Sequence, residues 1–387
     1  MPDWRPIIAQ IAYDVDTHFE NLKLRLKQRM GWLGPVQILA YRGHGTSRNF
    51  FIKGRVLEDK GITEASDNDT VWENILAMYK RFQSVEIPGV RVRARFLNAE
   101  KEALTDEEGY FDIAFELQEA PPANRLWHQV DLQLLDEVVE SQGPVHATEQ
   151  VLVPPQECDF GVISDVDDTV IETHATSLFK MAKITFLNNA RTRLPFKGVA
   201  AFYRALHRGS DNTPSNPIFY VSRTLWNLYD LLDDFMDIHG IPAGPLLLRK
   251  LSSSRERPET FVSGWYKLRQ IERILSLYPE LPFILIGDSG QRDPEIYRQV
   301  VHKFPGRILA IYIRNVSSEV REEQVYSFAE QLRADKVEML LVEDSEAAAR
   351  HAADRGFITP ESLLDVTSEK IKDTSAPSDL ELLIDEV

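Results

Sequence analysis

Short apolar runs that end in polar residues alternate with helical patterns through the second half of the chain. Each run has the composition of a buried strand, and each intervening segment repeats apolar residues at helical spacing. The runs are 160–164, 218–221 and 282–287, and the helical segments include 199–207 and 226–238. This alternation predicts an α/β domain with a doubly wound parallel sheet.

The first part of the chain has a different pattern, in which the strands are short and separated by turns. The segment Thr-Asp-Glu-Glu-Gly at 105–109 is a turn signal, and together with the next strand it is similar to the closing hairpin of prealbumin-like β-sandwich modules. We expect strands at 36–41, 49–57, 90–96, 110–117, 127–134 and 146–152, and a helix at 66–82. The pattern predicts a β-sandwich-like accessory domain.

Further segments lie before and after these domains. Residues 14–30 predict an amphipathic helix with a basic face, which either docks on its own protein or lies on a membrane surface. A helix at 319–334, a strand at 337–342 and a helix at 345–355 extend the α/β domain. The predicted segments are an N-terminal amphipathic helical segment (1–34), the accessory domain (35–154), the α/β domain (155–360) and an acidic, mobile tail (361–387).

Composition narrows the classes of protein. The formal net charge of −16 argues against nucleic-acid binding and against general attraction to anionic membranes. The apolar runs are too short and interrupted to span a bilayer, and the first residues lack the order of a signal peptide. The single cysteine, Cys158, excludes an internal disulfide and a cysteine-based metal cluster. We therefore expect a cytoplasmic protein, with any membrane contact peripheral.

Carboxylates gather where the first apolar run ends. Asp165, Asp167 and Asp168 follow it directly, and Asp288 follows the third run. Burying such groups costs free energy unless they are paired or hold a cation, and the carboxyl ends of parallel strands share one edge of a sheet. Alone, the first motif fits a helix cap equally well. The polar residues that end the other runs favour a magnesium-dependent phosphoryl site instead.

The first two acids suit the two covalent steps of phosphomonoester hydrolysis. We expect Asp165 to be the nucleophile, because a carboxylate can form an aspartyl-phosphate and divide the reaction into two steps. Asp167, two residues later, would protonate the leaving alkoxide and then activate the water that hydrolyses the intermediate.

The remaining candidates would hold the metal and the phosphoryl oxygens. Mg²⁺ would be bound by Asp165, the backbone carbonyl of Asp167 and Asp288. Asp293 would be a further metal carboxylate or would orient metal-bound water. Ser222 and the ammonium of Lys267 would hold phosphoryl oxygens; Arg249 and Lys250 are alternative cations for this role.

The order of these residues resembles the four motifs of the haloacid-dehalogenase-like superfamily. The resemblance implies that Thr169 belongs to the first catalytic motif. It also implies a phosphatase, because the phosphatases of that superfamily carry an aspartate at the second acid position, which is Asp167 here. The matching pattern is Asp165-x-Asp167-x-Thr169, Ser222, Lys267 and Gly287-Asp288-x-x-x-x-Asp293.

Within that superfamily, longer stretches at 164–170, 219–229 and 285–297 resemble the phosphatidate phosphatase family named for a yeast actin-patch protein, in the form of its bacterial members. The resemblance covers roughly 155–316. One departure is Arg223-Thr224-Leu225, where relatives usually carry a serine and a proline. It changes the substrate fit at the second motif, where Arg223 joins Ser222 and Lys267 as a candidate substrate-binding residue.

Three functions stay open at this point. The resemblance implies hydrolysis of phosphatidate to diacylglycerol at a membrane surface. The motifs recognise a phosphoryl group and not what carries it, so a phosphatase of a soluble phosphometabolite or phosphoprotein is the alternative. A binding or scaffold protein with the same fold is the third, although every expected acid is present.

Overall fold

The computed structural model describes residues 33–59, 85–166, 198–249, 265–316 and 318–375. These residues form two compact units, the first ending at Val153 and the second beginning at Pro154. The helices expected at 14–30 and 66–82 lie outside the described residues. None of the described helices combines the length and the apolar character that crossing a bilayer requires.

The first unit is a single seven-stranded sheet. Its strands are β1 (Val36–Gly45), β2 (Asn49–Glu58), β3 (Arg91–Phe96), β4 (Ala99–Leu104), β5 (Tyr110–Glu116), β6 (Trp127–Leu134) and β7 (His146–Leu152). They lie in the order β4-β3-β6-β7-β1-β2-β5. β1 and β7 are parallel and the other neighbours antiparallel. The outermost strands β4 and β5 contact each other, so the sheet is nearly closed around its apolar face.

The strand β4 is absent from the sequence prediction. Its residues, Ala-Glu-Lys-Glu-Ala-Leu, are mostly exposed and are weak strand formers. Cross-strand ion pairs with β3 hold it in place: Arg93 lies 2.7 Å from Glu102, and Arg95 lies 2.7 Å from Glu100. Pairing with β3, and not the local composition, therefore determines that this segment is a strand.

The second unit confirms the predicted α/β class. Its strands are β8 (Gly161–Asp165), β9 (Ile218–Leu225), β10 (Leu246–Arg249), β11 (Phe283–Asp288), β12 (Ile308–Arg314) and β13 (Glu338–Val342). All neighbouring pairs are parallel, in the order β10-β9-β8-β11-β12-β13. The described helices are α1 (Val199–Arg208), α2 (Tyr229–Ile238), α3 (Trp265–Leu277), α4 (Asp293–Lys303), α5 (Glu319–Leu332), α6 (Ser345–Asp354) and α7 (Pro360–Ser375).

The strand order places a switch point beside the first acidic motif. The chain moves outward from β8 to β10, returns to β11, and then moves outward in the other direction to β13. The crevice between the carboxyl ends of β8 and β11 is where open α/β sheets bind ligands. Beneath it the strands are completely buried, at Val162, Ile163, Ile284 and Leu285, as apolar runs covered on both faces should be.

Helix α7 differs from the expectation of a mobile tail from residue 361. Val366 is completely buried, Ala201 N–H donates to Glu369 Oε1 over 3.0 Å, and Glu369 also pairs with Arg204. The packed side chain and the paired acid fix a segment whose composition alone suggests disorder. Residues 376–387 lie outside the described residues.

Candidate active site

A buried lysine joins two carboxylates at the carboxyl edge of the parallel sheet. Lys267 Nζ lies 2.8 Å from Asp165 Oδ1 and also donates to Asp293 Oδ1. The three side chains expose 3%, 5% and 0% of their surface, respectively. Because removing a charge from water costs several kcal/mol unless partners compensate it, these three groups act as one electrostatic unit.

Lys267 and the two carboxylates each come from the end of a different helix or strand. Asp165 is the last residue of β8, Lys267 is in the first turn of α3, and Asp293 is the first residue of α4. The adjoining Tyr266 hydroxyl donates to the Leu248 carbonyl over 2.5 Å, which ties the start of α3 to β10. The lysine thereby spans the crevice that the strand order creates.

Asp288 lies beside the same cluster. It ends β11, its backbone N–H donates to Asp293 Oδ2 over 3.1 Å, and its own Oδ1 accepts from the Gln291 N–H over 2.8 Å. Asp293 therefore accepts hydrogen bonds on both oxygens, from Lys267 and from Asp288. These contacts fix the orientation of the Asp293 carboxylate relative to Lys267 and Asp288.

Burial and charge both shift the pKa values of Asp165 and Lys267. Burial, and then the nearby Asp293, raise the pKa of Asp165 well above its ordinary range, while Lys267 opposes the shift. Burial by itself would lower the pKa of Lys267, but Asp293 and Asp165 raise it above its ordinary value. The ammonium thus stays charged and stabilises carboxylates that have little water around them.

The donor set fits a divalent cation. Asp165, Asp288 and Asp293 each offer a carboxylate oxygen, and the three oxygens lie within 4.8 Å of one another. With all three acids ionised, as a bound cation would favour, they and the Lys267 ammonium together carry two negative charges. Oxygen ligands of this kind are preferred by Mg²⁺ and Ca²⁺. The cluster can therefore hold a metal ion.

Ser222 and Arg223 lie on the neighbouring strand β9. Val221 pairs in register with Asp165, so Ser222 is one residue beyond the nucleophile candidate. Ser222 is fully buried, and its Oγ accepts from the Thr224 N–H over 3.0 Å. Arg223 is half-buried and reaches across to the loop after β11.

Gln291 is a site residue that the sequence analysis missed. Its side chain donates to Asp165 Oδ2 over 3.4 Å and accepts from Arg223 Nη2 over 3.1 Å. Its only sequence signal is its place three residues after Asp288, within the matched stretch 285–297. An uncharged amide has none of the properties of an acid, a nucleophile or a cation by which the other site residues stand out in the sequence.

Part of the predicted site falls outside the described residues. Asp167 and Thr169 lie outside the described residues, as does Lys250. Of the other predicted site residues, the structure brings Asp165, Lys267, Asp288 and Asp293 together. It links Arg223 to them through Gln291 and puts Ser222 beside Asp165 in the sheet.

Fold and site together define a doubly wound α/β domain with an acidic, lysine-bridged cluster at its topological switch point. Residues 160–315 match the family model described as "Phosphatidate phosphatase APP1, catalytic domain". This match confirms, for that segment, the resemblance indicated by the motifs.

Two curated proteins are similar to parts of this chain. Phosphatidate phosphatase APP1 of Saccharomyces cerevisiae is 33% identical over 164 residues, which are 42% of this chain and 27% of that protein. An uncharacterized protein of Schizosaccharomyces pombe is 26% identical over 255 residues, which are 64% of this chain and 41% of that protein. The matched parts thus span well under half of either relative.

Solved structures add no argument about the fold. The β-glucuronidase of Parabacteroides merdae shares 10% identity with a TM-score of 0.23, over 79% of this chain and 40% of that chain. A carbohydrate acetylesterase of Xanthomonas citri also gives 10% identity and a TM-score of 0.23, over 75% of this chain and 72% of that chain.

Proposed function

We propose that this protein is a magnesium-dependent phosphomonoester hydrolase that converts phosphatidate to diacylglycerol. The observation that carries the proposal is the buried Lys267 between Asp165 and Asp293, at the switch point of a segment that matches a phosphatidate phosphatase catalytic domain. We assign this catalytic domain to 155–360 and an accessory role to the β-rich domain at 35–154. The proposal places the reaction at the cytoplasmic face of a membrane.

In the first step a carboxylate oxygen of Asp165 attacks phosphorus. A phosphorus–oxygen bond forms on Asp165, the bond to the leaving alkoxide breaks, and Asp167 gives that alkoxide a proton. In the second step Asp167 takes a proton from water, the water oxygen attacks phosphorus, and inorganic phosphate leaves Asp165. Lys267 suits the first step because its charge already lies 2.8 Å from the attacking carboxylate.

Asp165, the Asp167 carbonyl and Asp288 would hold Mg²⁺, with Asp293 as a further ligand or as the group that orients water bound to the ion. When bound, the ion supplies charge neutralisation of the carboxylates and polarisation of the phosphoryl oxygens. Ser222, Arg223 and Lys267 would bind phosphoryl oxygens, and Thr169 would complete the first motif.

Substrate class is tested by a panel of phosphate esters. The full chain is assayed with phosphatidate in mixed micelles, a sugar phosphate, a phosphopeptide and an aryl phosphate, each with magnesium and with a chelator. We expect magnesium-dependent release of phosphate from phosphatidate. Hydrolysis of only the water-soluble esters would instead favour a soluble phosphometabolite or phosphoprotein, and no hydrolysis at all would favour a binding protein.

The nucleophile is tested separately with Asp165→Asn. This change keeps the shape of the side chain and removes its charge, so turnover should fall at least about 1,000-fold, the scale seen when a covalent nucleophile is lost. Asp335→Asn is the matched control, since Asp335 is a surface aspartate 3.4 Å from His302. Wild-type turnover in Asp165→Asn would exclude the covalent role.

A further inference from the structure

Gln291 contacts the site through both its backbone and its side chain. Its N–H donates to Asp288 Oδ1 over 2.8 Å, and its side-chain amide lies between Asp165 and Arg223. One residue therefore connects the acid that ends β8, the acid that ends β11 and the arginine of β9.

The chemistry of the amide fixes which way it faces. The carboxylate of Asp165 only accepts hydrogen bonds and the guanidinium of Arg223 only donates them. The Nε2 group must therefore face Asp165, at 3.4 Å, and Oε1 must face Arg223 Nη2, at 3.1 Å. The flipped amide would put two acceptors together and two donors together. In this orientation the amide satisfies both neighbours at once.

The loop that carries Gln291 is held by an arginine outside the matched motifs. Arg321, in the first turn of α5, donates to the Ser289 carbonyl over 2.9 Å and to the Gln291 carbonyl over 2.7 Å. The same guanidinium pairs with Glu295, at 2.6 and 2.7 Å from its two oxygens. Five donors in a rigid plane suit such a clamp, because they fix direction as well as distance. The amide is therefore presented from a fixed backbone.

We propose that Gln291 is a positioning residue that holds the Arg223 guanidinium beside Asp165, so that Arg223 binds an oxygen of the phosphoryl group at that carboxylate. The inference rests on the proposed function. It gives Arg223 a role in the reaction, since Gln291 holds its guanidinium on the side of the Asp165 carboxylate. Lys267 engages Asp165 Oδ1 and Gln291 faces Oδ2, so the two groups approach the carboxylate through different oxygens.

A double-mutant cycle on the full chain tests the proposal. Gln291→Leu, Arg223→Gln and the double variant are compared for kcat/KM on an aryl phosphate. Loss of a hydrogen bond to a charged group predicts about a 10- to 100-fold decrease for each single variant. If Gln291 acts by placing Arg223, the double variant should be no worse than about threefold below the lower single variant. Multiplication of the two single effects would overturn the proposal.

Inorganic phosphate supplies a second readout that does not depend on turnover. Its binding, measured by calorimetry with magnesium present, should weaken about tenfold in Gln291→Leu. In the double variant it should be no more than about threefold weaker than in the weaker-binding single variant. Unchanged phosphate binding in both single variants would also overturn the proposal. If the wild type hydrolyses no ester but its phosphate binding depends on both residues in this non-additive way, the proposed hydrolysis fails while the positioning role stands.

The matched control is Gln331→Leu. Gln331 Oε1 also accepts from an arginine, Arg298 Nη1, over 2.7 Å, but on the exposed face of α5. This variant should keep wild-type kcat/KM and phosphate binding. A melting temperature of Gln291→Leu close to that of Gln331→Leu separates positioning from a general loss of fold.

Discussion

The carboxylate of Asp293 occupies the space that a side chain at residue 287 would need. A Cβ atom on Gly287 would lie 2.8 Å from Asp293 Cβ and still closer to Asp293 Oδ2. Real Cβ atoms essentially never approach other atoms so closely, so one of the two residues would have to move. The glycine of the Gly-Asp motif is thus explained by the completely buried acid that follows it.

Gly287→Ala should therefore damage the site through Asp293. We expect a stability loss of about 1 to 3 kcal/mol from overpacking and a clear decrease in turnover, because Asp293 holds both Lys267 and the Asp288 N–H. Gly143→Ala is the control, since no atom lies within 4 Å of its added Cβ. Urea unfolding and aryl phosphate hydrolysis measure the two effects. Equal behaviour of both variants would contradict the steric account.

Lys267→Met should destabilise the fold as well as stop the reaction. The change leaves Asp165 and Asp293 buried together without their cation, and removal of one partner from a buried ion pair costs about 3 to 5 kcal/mol. Lys303→Met is the matched control: Lys303 lies 2.7 Å from Glu272 but exposes 58% of its side chain, so its loss should cost less than about 1 kcal/mol. Denaturant midpoints compare the two variants. An unchanged midpoint in Lys267→Met would contradict the claim that Lys267 stabilises the buried pair of Asp165 and Asp293.

Asp288→Asn should weaken metal binding. It removes one of the three carboxylates that lie within reach of a common cation, so calorimetric titration with Mg²⁺ should show at least about tenfold weaker affinity, the lower end of what even supporting groups around a metal contribute. A chelator should abolish wild-type activity and added magnesium restore it. Unaltered magnesium affinity in Asp288→Asn would remove this residue from the site.

His128 should make the β-rich unit sensitive to acid. The residue is only 6% exposed, its Nε2 lies 3.1 Å from the Arg125 carbonyl oxygen, and burial lowers its pKa below the ordinary value. Above about pH 6.5 the imidazole of His128 is neutral in both the folded and the unfolded protein. Below this pH it is protonated in the unfolded chain, while in the folded protein it stays neutral to lower pH. Stability should then fall as pH decreases, by at most about 1.4 kcal/mol per pH unit.

The variant His128→Gln isolates this contribution. It keeps a polar side chain and removes the titration, so its free energy of unfolding should depend less on pH between about pH 6.5 and pH 4.5. Urea midpoints across that range measure the difference. The same slope in both proteins would assign the acid sensitivity to other groups.

Val366→Ala tests whether α7 is part of the folded unit. Val366 is completely buried, so its truncation should cost about 1 to 3 kcal/mol. Leu364→Ala, on the same helix but with 68% of Leu364 exposed, should change stability by less than about 0.5 kcal/mol. Thermal unfolding distinguishes them, and equal melting temperatures would mean that the helix contributes nothing to the fold.

Local patterns in the sequence determine much of this protein. Apolar runs at 160–164, 218–221 and 282–287 specify buried strands, since a strand covered on both faces requires continuous apolar residues. The acids at their ends predict where the site lies, because parallel strands share one carboxyl edge. Such a pattern is local: it is visible in a few consecutive residues and does not depend on contacts with distant segments.

Only the tertiary structure decides which of these groups meet. Gln291 reaches Asp165 across 126 positions of sequence, β4 takes its conformation from the arginines of β3, and α7 is fixed by a buried valine and a paired glutamate. In each case the stabilising interaction is a side-chain contact between distant segments. Such contacts leave no period in the sequence, because their free energy depends on burial and distance that exist only after the chain has folded.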